Sequence, residues 1–341
     1  MRITEISLEE AVGHPLAHDL TKIDARSHTK GARFKKGQII TEADLPMLRE
    51  MGREHLTVLE LEPDEVHEDD AAEALCGAIC GMNCVPTPPS EGRITLKAGV
   101  SGFLCYDAAM VGRVNEDVDW VLATTPPFRQ VRAGQPVAGF RIRPLAMTRG
   151  RVDRAVAAAF KIDVKPFAPL KAGLVTTGRE IAEGRVEDAF MDKFTRKLEP
   201  FGGLLIGRRF CTDDPSMISD AIRAFIAEGA ELVVCTGGMS VDADDRTPGG
   251  IAAVADRIVF RGIPVLPGAM LMMGTASKEG REISIIGAPA CVVHDERTSL
   301  DRLLPFVFAG VDPAPHVRSW GVGGLCAGCQ PCHWPECAFS A

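Results

Sequence analysis

Between Lys171 and Pro313, short apolar runs alternate with helix-like stretches about every 15 to 20 residues, and this rhythm restricts the fold more than any other feature of the chain. "AGLVTTG", "LLIGRRFC", "ELVVCTGG" and "REISIIGAP" read as strands. "VEDAFMDKFTRKLEPFGG", "DDPSMISDAIRAFIAEGA" and "TPGGIAAVADRI" read as helices, the second opening on Asp213, Asp214 and an early Pro215. Such alternation predicts an α/β fold with a mostly parallel sheet and helices on both faces. Folds of this kind bind ligands where the carboxyl ends of strands meet loops. The strand-end loops are Thr176–Arg179, Thr236–Asp245, Pro267–Met270 and Gly287–Cys291, all rich in Gly, Pro, Thr or Asp.

The rest of the chain reads differently. Residues 1–85 form a small N-terminal α+β module, 86–165 a β-rich region, 171–313 the α/β domain and 314–341 a cysteine-rich tail. In the first module Thr41 is the expected N-cap, with Asp44 three residues on, of a helix carrying Leu45, Leu48 and Met51 on one face. "EVHEDDAAEALCGAI" is expected to be a second helix with acid in its first turn. His67, Glu68, Asp69 and Asp70 have metal-ligating chemistry, but a helix start explains them more simply. "NCVPTPPSEG" is a linker, and "RVDRAVAAAF" a helix that leaves the β-rich section.

Composition excludes several classes. The net charge is -8, with no long basic run, so nucleic acid is not the expected partner. No apolar stretch approaches the roughly 20 residues that span a membrane. "MRITEISLEEAVGHPL" lacks the apolar core of a signal peptide. These features predict a cytoplasmic protein. The odd total of 11 cysteines argues against a disulfide framework. Cys76 and Cys80 share a helical face and read as small core residues.

"VVCTGGMSVDADDRTPGG", residues 233–250, joins two opposed features. Gly237 and Gly238 let successive N–H groups form an anion-binding nest, to which Thr236 and Ser240 add hydroxyls. Asp242, Asp244 and Asp245 repel an anion. A phosphate held together with Mg²⁺ resolves the conflict, since that ion borrows phosphate oxygens and keeps waters. The plain alternative is a solvated acidic turn capping the helix that begins near Pro248.

These stretches, taken in order, resemble a known family. "GLVTTGREIAEGRVEDAF", "CTDDPSMISDAI", "TGGMSVDADDRTP", "VLPGAM", "IIGAPACVV" and "TSLDRLLPFVFAG" match, in register from Lys171 to Pro313, the molybdopterin-binding fold of molybdenum cofactor biosynthesis. Molybdopterin adenylyltransferases, molybdopterin molybdenumtransferases and competence-damage-inducible proteins share that fold. The resemblance implies that Thr176, Thr177 and Gly178 line the pocket and that Gly237, Gly238 and Ser240 take the terminal phosphate of molybdopterin. It implies further cofactor contacts from Thr236, Thr247, Pro267, Gly268 and Pro289. Asp245 and Asp244 stand where the family keeps catalytic acids, and Asp245 with Asp242 would hold Mg²⁺. Asp188 and Asp214 match acidic positions near the pocket.

The implied function is binding of molybdopterin, or its adenylylated form, for Mg²⁺-dependent molybdate insertion or phosphate chemistry. The alternative is a carrier or sensor that delivers cofactor to a molybdoenzyme. Hydrolysis of a pyridine nucleotide or nucleotide sugar is a third reading. Expected partners are molybdopterin, molybdate and other cofactor-biosynthesis proteins, in a homo-oligomer. Two departures favour binding over molybdate insertion. Pro267-Gly268-Ala269-Met270 lacks the lysine of the transferase Pro-Gly-Lys-Pro, and "GAPACV" replaces Gly-x-Pro-Gly-Asn-Pro.

The tail "GGLCAGCQPCHWPECAFSA" spaces Cys326, Cys329, Cys332 and Cys337 as C-x2-C-x2-C-x4-C. Thiolates so close in sequence suit an Fe–S cluster or Zn²⁺, with free thiols as the alternative. His333 is read as a bystander.

Overall fold

The computed structural model of the chain describes residues 2–24, 29–178, 190–239 and 245–340. It divides into two compact units. Residues 1–100, 104–127 and 131–164 make the first, and 101–103, 128–130 and 165–341 the second. No described helix is long and apolar enough to cross a membrane.

The first unit has two cores. In one, strands Arg2–Ser7 and His55–Glu60 pair antiparallel above Leu16, Ile40, Leu48 and Val58. Thr41 makes the expected capping box, its N and Oγ1 donating to Asp44 Oδ2 at 2.9 and 2.7 Å. The box opens a 3-10 turn, Glu42–Asp44, that leads into a short helix, Leu45–Glu50. The other core lies between helix Glu68–Ile79 and an antiparallel sheet in the order Cys84–Pro86, Arg93–Ala98, Pro136–Ile142, Trp120–Thr124.

At the start of that helix His67 is the N-cap, its Nδ1 accepting from Asp69 N at 3.3 Å, and Glu68, Asp69 and Asp70 fill the first turn. Glu68 is 3% exposed and lies close to Gly37 and Gly92. Burial, then the neighbouring Asp69 carboxylate, pushes its carboxyl up to about 7, against the pull of Arg141 and Lys36. Helix Arg149–Ala158 forms where expected. Helix Ala109–Asn115 interrupts the β-rich section. It buries only Met110 and Val114, too few positions for a legible period.

The second unit is built on a six-stranded sheet. Its elements are β1 (Lys171–Thr177), α1 (Phe190–Leu198), β2 (Leu204–Cys211), α2 (Pro215–Ala227), β3 (Leu232–Thr236), α3 (Thr247–Ala252), β4 (Arg257–Arg261), β5 (Met272–Lys278), β6 (Arg281–Gly287) and α4 (Ser299–Phe308). The strand order is β2-β1-β3-β6-β5-β4. The first four strands are parallel, and β5 and β4 run antiparallel to their neighbours. The sheet is therefore mostly parallel, as the alternation implies.

Both faces are covered. On one, Val175, Val233, Cys235 and Ile285 pack with Ile218 and Phe225 of α2 and Ile251 of α3. On the other, Leu174, Val234 and Ile286 are fully buried, which explains the unbroken apolar runs of β1 and β3. Asp214 caps α2, accepting from Ser216 N and Oγ at 2.8 and 2.7 Å. Those bonds lower its carboxyl below the usual range.

The helix expected from Thr247 to Ile258 stops at Ala252, and Arg257 already begins β4. The β4–β5 pair went unread because β5, "MMGTASK", carries small and hydroxyl residues where a strand usually advertises β-branched ones.

One buried ion pair ties α1 to α4. Lys197 Nζ meets Asp301 Oδ1 at 2.6 Å, and the two side chains are 4% and 3% exposed. Lys197 also donates to Glu296 O at 3.0 Å, and Arg297 Nη1 to Asp301 Oδ1 at 3.0 Å. Lys193, one turn earlier, donates to the carbonyls of Val293 and Asp295.

Two outcomes follow from these groups. Glu68 keeps its proton to higher pH in the folded chain than in the unfolded one, so the folded state binds more protons between the ordinary carboxylate range and about pH 7. Stability should fall as pH rises through that window, and Glu68→Gln should flatten the fall in a series of melting temperatures. Lys197→Met leaves Asp301 buried with a partly exposed arginine as its remaining cation. It should cost ~3–5 kcal/mol of unfolding free energy by chemical denaturation.

Candidate functional site

β1 and β3 are neighbours whose outgoing connections diverge, β1 leading to β2 at one edge and β3 toward the far side of the sheet. A crevice at the carboxyl ends of such a pair is the ligand position of an open α/β sheet. Register places Thr176 opposite Thr236, so the two strands end level.

The loops there are knitted together by hydroxyls. Thr177 Oγ1 donates to Thr236 O at 3.1 Å and lies 3.2 Å from Thr247 Oγ1, which donates to Gly237 O at 2.8 Å. Thr176, Thr177 and Thr236 are 2–3% exposed, and Thr247 is fully buried. Gly178 N closes on Cys211 O at 3.1 Å. Gly237 and Gly238 have φ of +83° and +54°, values that suit glycine. Space imposes the same choice. A Cβ at Gly237 would overlap the Thr177 carbonyl, and one at Gly238 would stand 2.9 Å from Thr247 Oγ1.

Thr236 Oγ1 is buried and meets no hydrogen-bond partner among the described residues. A buried hydroxyl without a partner is costly, and this one lies beside backbone turned out by two glycines. The arrangement suits a ligand that accepts hydrogen bonds.

Of the other sequence-derived positions, Asp245 lies just before α3 and is partly exposed. Ser240, Asp242, Asp244 and Asp188 lie outside the described residues. Pro289 is buried and caps the 3-10 turn Ala290–Val293, and Ala288 N donates to Cys235 O at 2.8 Å. Pro267 and Gly268 are held by α4: Ser299 N donates to Pro267 O at 3.0 Å and Ser299 Oγ to Gly268 O at 2.7 Å. Nothing in the sequence marked Ser299 for that task.

Cys326, Cys329, Cys332 and Cys337 line one cavity of about 660 Å³, together with Pro267 and Arg297. Among the described residues, no three His, Cys, Asp or Glu side chains are drawn together in a metal-binding group. All 11 cysteines are free thiols. Burial raises Cys76 and Cys84 to about 11. Cys84 Sγ donates to Ile162 O at 3.1 Å.

Comparison with known proteins bears on this geometry. Residues 173–309 match the family described as "probable molybdopterin binding domain". This segment belongs to that family. Its molybdopterin-binding-type domain contains all of β1 to β6 except the first two residues of β1, and α1 to α4 entirely. Residues 5–60 match a domain of unknown function, DUF8806.

A CinA-like protein of Mycobacterium sp. (strain MCS) is 36% identical over 87 residues, covering 26% of this chain and 21% of that protein. One from Mycolicibacterium gilvum is 31% identical over 104 residues, 30% of this chain and 24% of its own length. The chain thus spans about a fifth to a quarter of the length of these curated relatives. Among solved structures, the molybdopterin biosynthesis Mog protein of Mycobacterium ulcerans aligns over 43% of this chain and 99% of its own, at 21% identity and a TM-score of 0.35.

Proposed function

We propose that the domain binds molybdopterin through its phosphate at the Thr236–Ser240 loop, in the service of molybdenum cofactor biosynthesis. The observation that carries this reading is the unpartnered Thr236 Oγ1 beside two positive-φ glycines. It supplies a buried donor beside a Gly-Gly turn, the chemistry a phosphate needs. Thr177, Gly178 and Thr247 frame the pocket, and Pro267, Gly268 and Pro289 extend it.

Asp245, with Asp242 or Asp244, is the carboxylate set suited to Mg²⁺. That ion would offset phosphate charge and allow chemistry at the phosphate or at molybdate. Asp244 and Asp245 are then the acids of the reaction.

One observation favours a second reading, a carrier that hands the cofactor to a molybdoenzyme. Ala269 stands where the transferases place lysine, and its carbonyl is engaged by Ile263 N at 2.9 Å. The loop therefore brings no cation to molybdate. In either role the protein acts with other cofactor-biosynthesis proteins, as a cytoplasmic homo-oligomer.

Two substitutions test the proposal. Thr236→Val removes a hydroxyl that bonds nothing among the described residues, so the melting temperature should hold or rise. Molybdopterin affinity should drop about tenfold, the value of one lost hydrogen bond of ~1.4 kcal/mol. An unchanged affinity removes the phosphate from this loop. Asp245→Ala separates enzyme from carrier. Turnover of molybdopterin or its adenylylated form should vanish while binding persists, whereas a carrier binds as before and shows no turnover in either protein.

A further inference from the structure

The tail cysteines sit in a loop whose two ends return to one side chain. Arg302 of α4 is 5% exposed. Its guanidinium lies over Trp320 at 5.3 Å and over Phe339 at 5.8 Å, and its Nη1 donates to Trp320 O at 3.1 Å. Trp320 and Phe339 are 4% and 3% exposed. Residues 321–338 therefore leave and rejoin the domain at a single buried cation.

Within that loop only Gly324 is buried, and the backbone is tied to the domain by the bridge between Leu325 and Leu266. The loop contains neither strand nor α-helix. Its apolar residues face water, with Val322 89% and Leu325 73% exposed. Structureless loops of this length in a compact domain are uncommon unless they serve a function. Small segments without a core are ordinarily held by a covalent or metal staple.

Cations also gather at the loop. Arg129 Nη2 donates to Cys337 O at 2.5 Å, Arg297 lies within hydrogen-bond reach of Cys332 and 5.8 Å from the Trp334 ring centre, and Arg302 stands near Cys337. The Nε atoms of Arg129 and Arg297 are buried without an acceptor among the described residues. Three guanidinium groups thus lie beside the second half of the loop, at Cys332 and Cys337. Asp301, the buried carboxylate nearby, is already shared between Lys197 and Arg297.

We propose that Cys326, Cys329, Cys332 and Cys337 form a thiolate metal centre, with Arg297 lining the same cavity and Arg129 and Arg302 beside Cys337. The ligand class is a thiophilic metal, either one tetrahedral Zn²⁺ or an iron–sulfur cluster. Both use the same four sulfurs. For zinc, four thiols lose four protons and the ion takes four S⁻ ligands, leaving a site of charge −2 for the arginines to neutralise. The sulfurs line a common wall of the cavity, and binding draws the 321–338 loop in until each lies about 2.3 Å from the metal. Metal uptake and ordering of the loop are one event. The site is independent of the phosphate loop and does not require molybdopterin.

The test uses the full chain, purified without oxygen and analysed for zinc, iron and acid-labile sulfide. About one zinc per chain, or iron with matching sulfide and visible absorption, is the expected result, and the two outcomes identify the metal. The stripped chain is then titrated with Co²⁺. It should develop thiolate-to-cobalt charge transfer at about one ion per chain. Cys329→Ser and Cys332→Ser should lose that band, and Cys291→Ser should keep it. A chain purified without metal that shows no charge transfer with Co²⁺, and gains no cluster from Fe²⁺ and sulfide, overturns the proposal. So does metal binding that survives both tail substitutions. The Co²⁺ titration of the unsubstituted chain decides the matter even where a variant fails to fold.

Discussion

At the carboxyl end of the central sheet, the backbone after β3 passes so close to the end of β1 that position 237 has no room for a side chain. The approach depends on the register that sets Thr176 opposite Thr236 in a sheet buried on both faces. The same closeness lets hydroxyls replace a conventional turn. Thr177 and Thr247 hold the Thr236 and Gly237 carbonyls. α2 is seated by a matching device, for a Cβ at Gly173 would stand 2.7 Å from Phe225 Cδ1. Missing side chains thus set both the depth of the crevice and the seat of the helix behind it.

A second constraint is electrostatic. Lys193 and Lys197, one helical turn apart on α1, reach four acceptors: three loop carbonyls and the Asp301 carboxylate. Asp301 in turn completes the capping box of α4 with Thr298, accepting from Thr298 N at 2.8 Å. The first turn of α4 carries Ser299, which holds Pro267 and Gly268. A single buried carboxylate therefore fixes a loop and a helix start. Its desolvation is tolerable because every side of it finds a donor.

The strand-end glycines and threonines were legible in the sequence because their chemistry is local: a turn needing positive φ and a row of hydroxyls announce themselves in consecutive residues. The parallel core was legible for a similar reason, since full burial leaves unbroken apolar runs. β4 and β5 were not, because a strand such as Met272–Lys278, packed between neighbours, accepts Gly274 and Thr275 where a pattern of large residues is sought. The helix from Thr247 ended early because Arg257–Arg261 was claimed by the sheet edge, a tertiary choice invisible to helix propensity. The tail spacing was plain, but its arginines come from positions 129, 297 and 302, and only the fold brings them together. Ser299 and the Lys197–Asp301 pair were equally out of reach, being long-range partnerships with no mark in local sequence.

The bridge between Leu266 and Leu325 has a consequence of its own. Leu266 N donates to Gly324 O at 2.7 Å and Cys326 N to Leu266 O at 2.8 Å, so the first tail cysteine is hydrogen-bonded to the residue preceding Pro267. One short stretch of backbone is a common border for the strand-end loop and the cysteine loop. Free energy spent ordering one side of a border need not be spent again by the other, and such linkage acts equally in both directions. The two loops share that border, joined there by two amide hydrogen bonds.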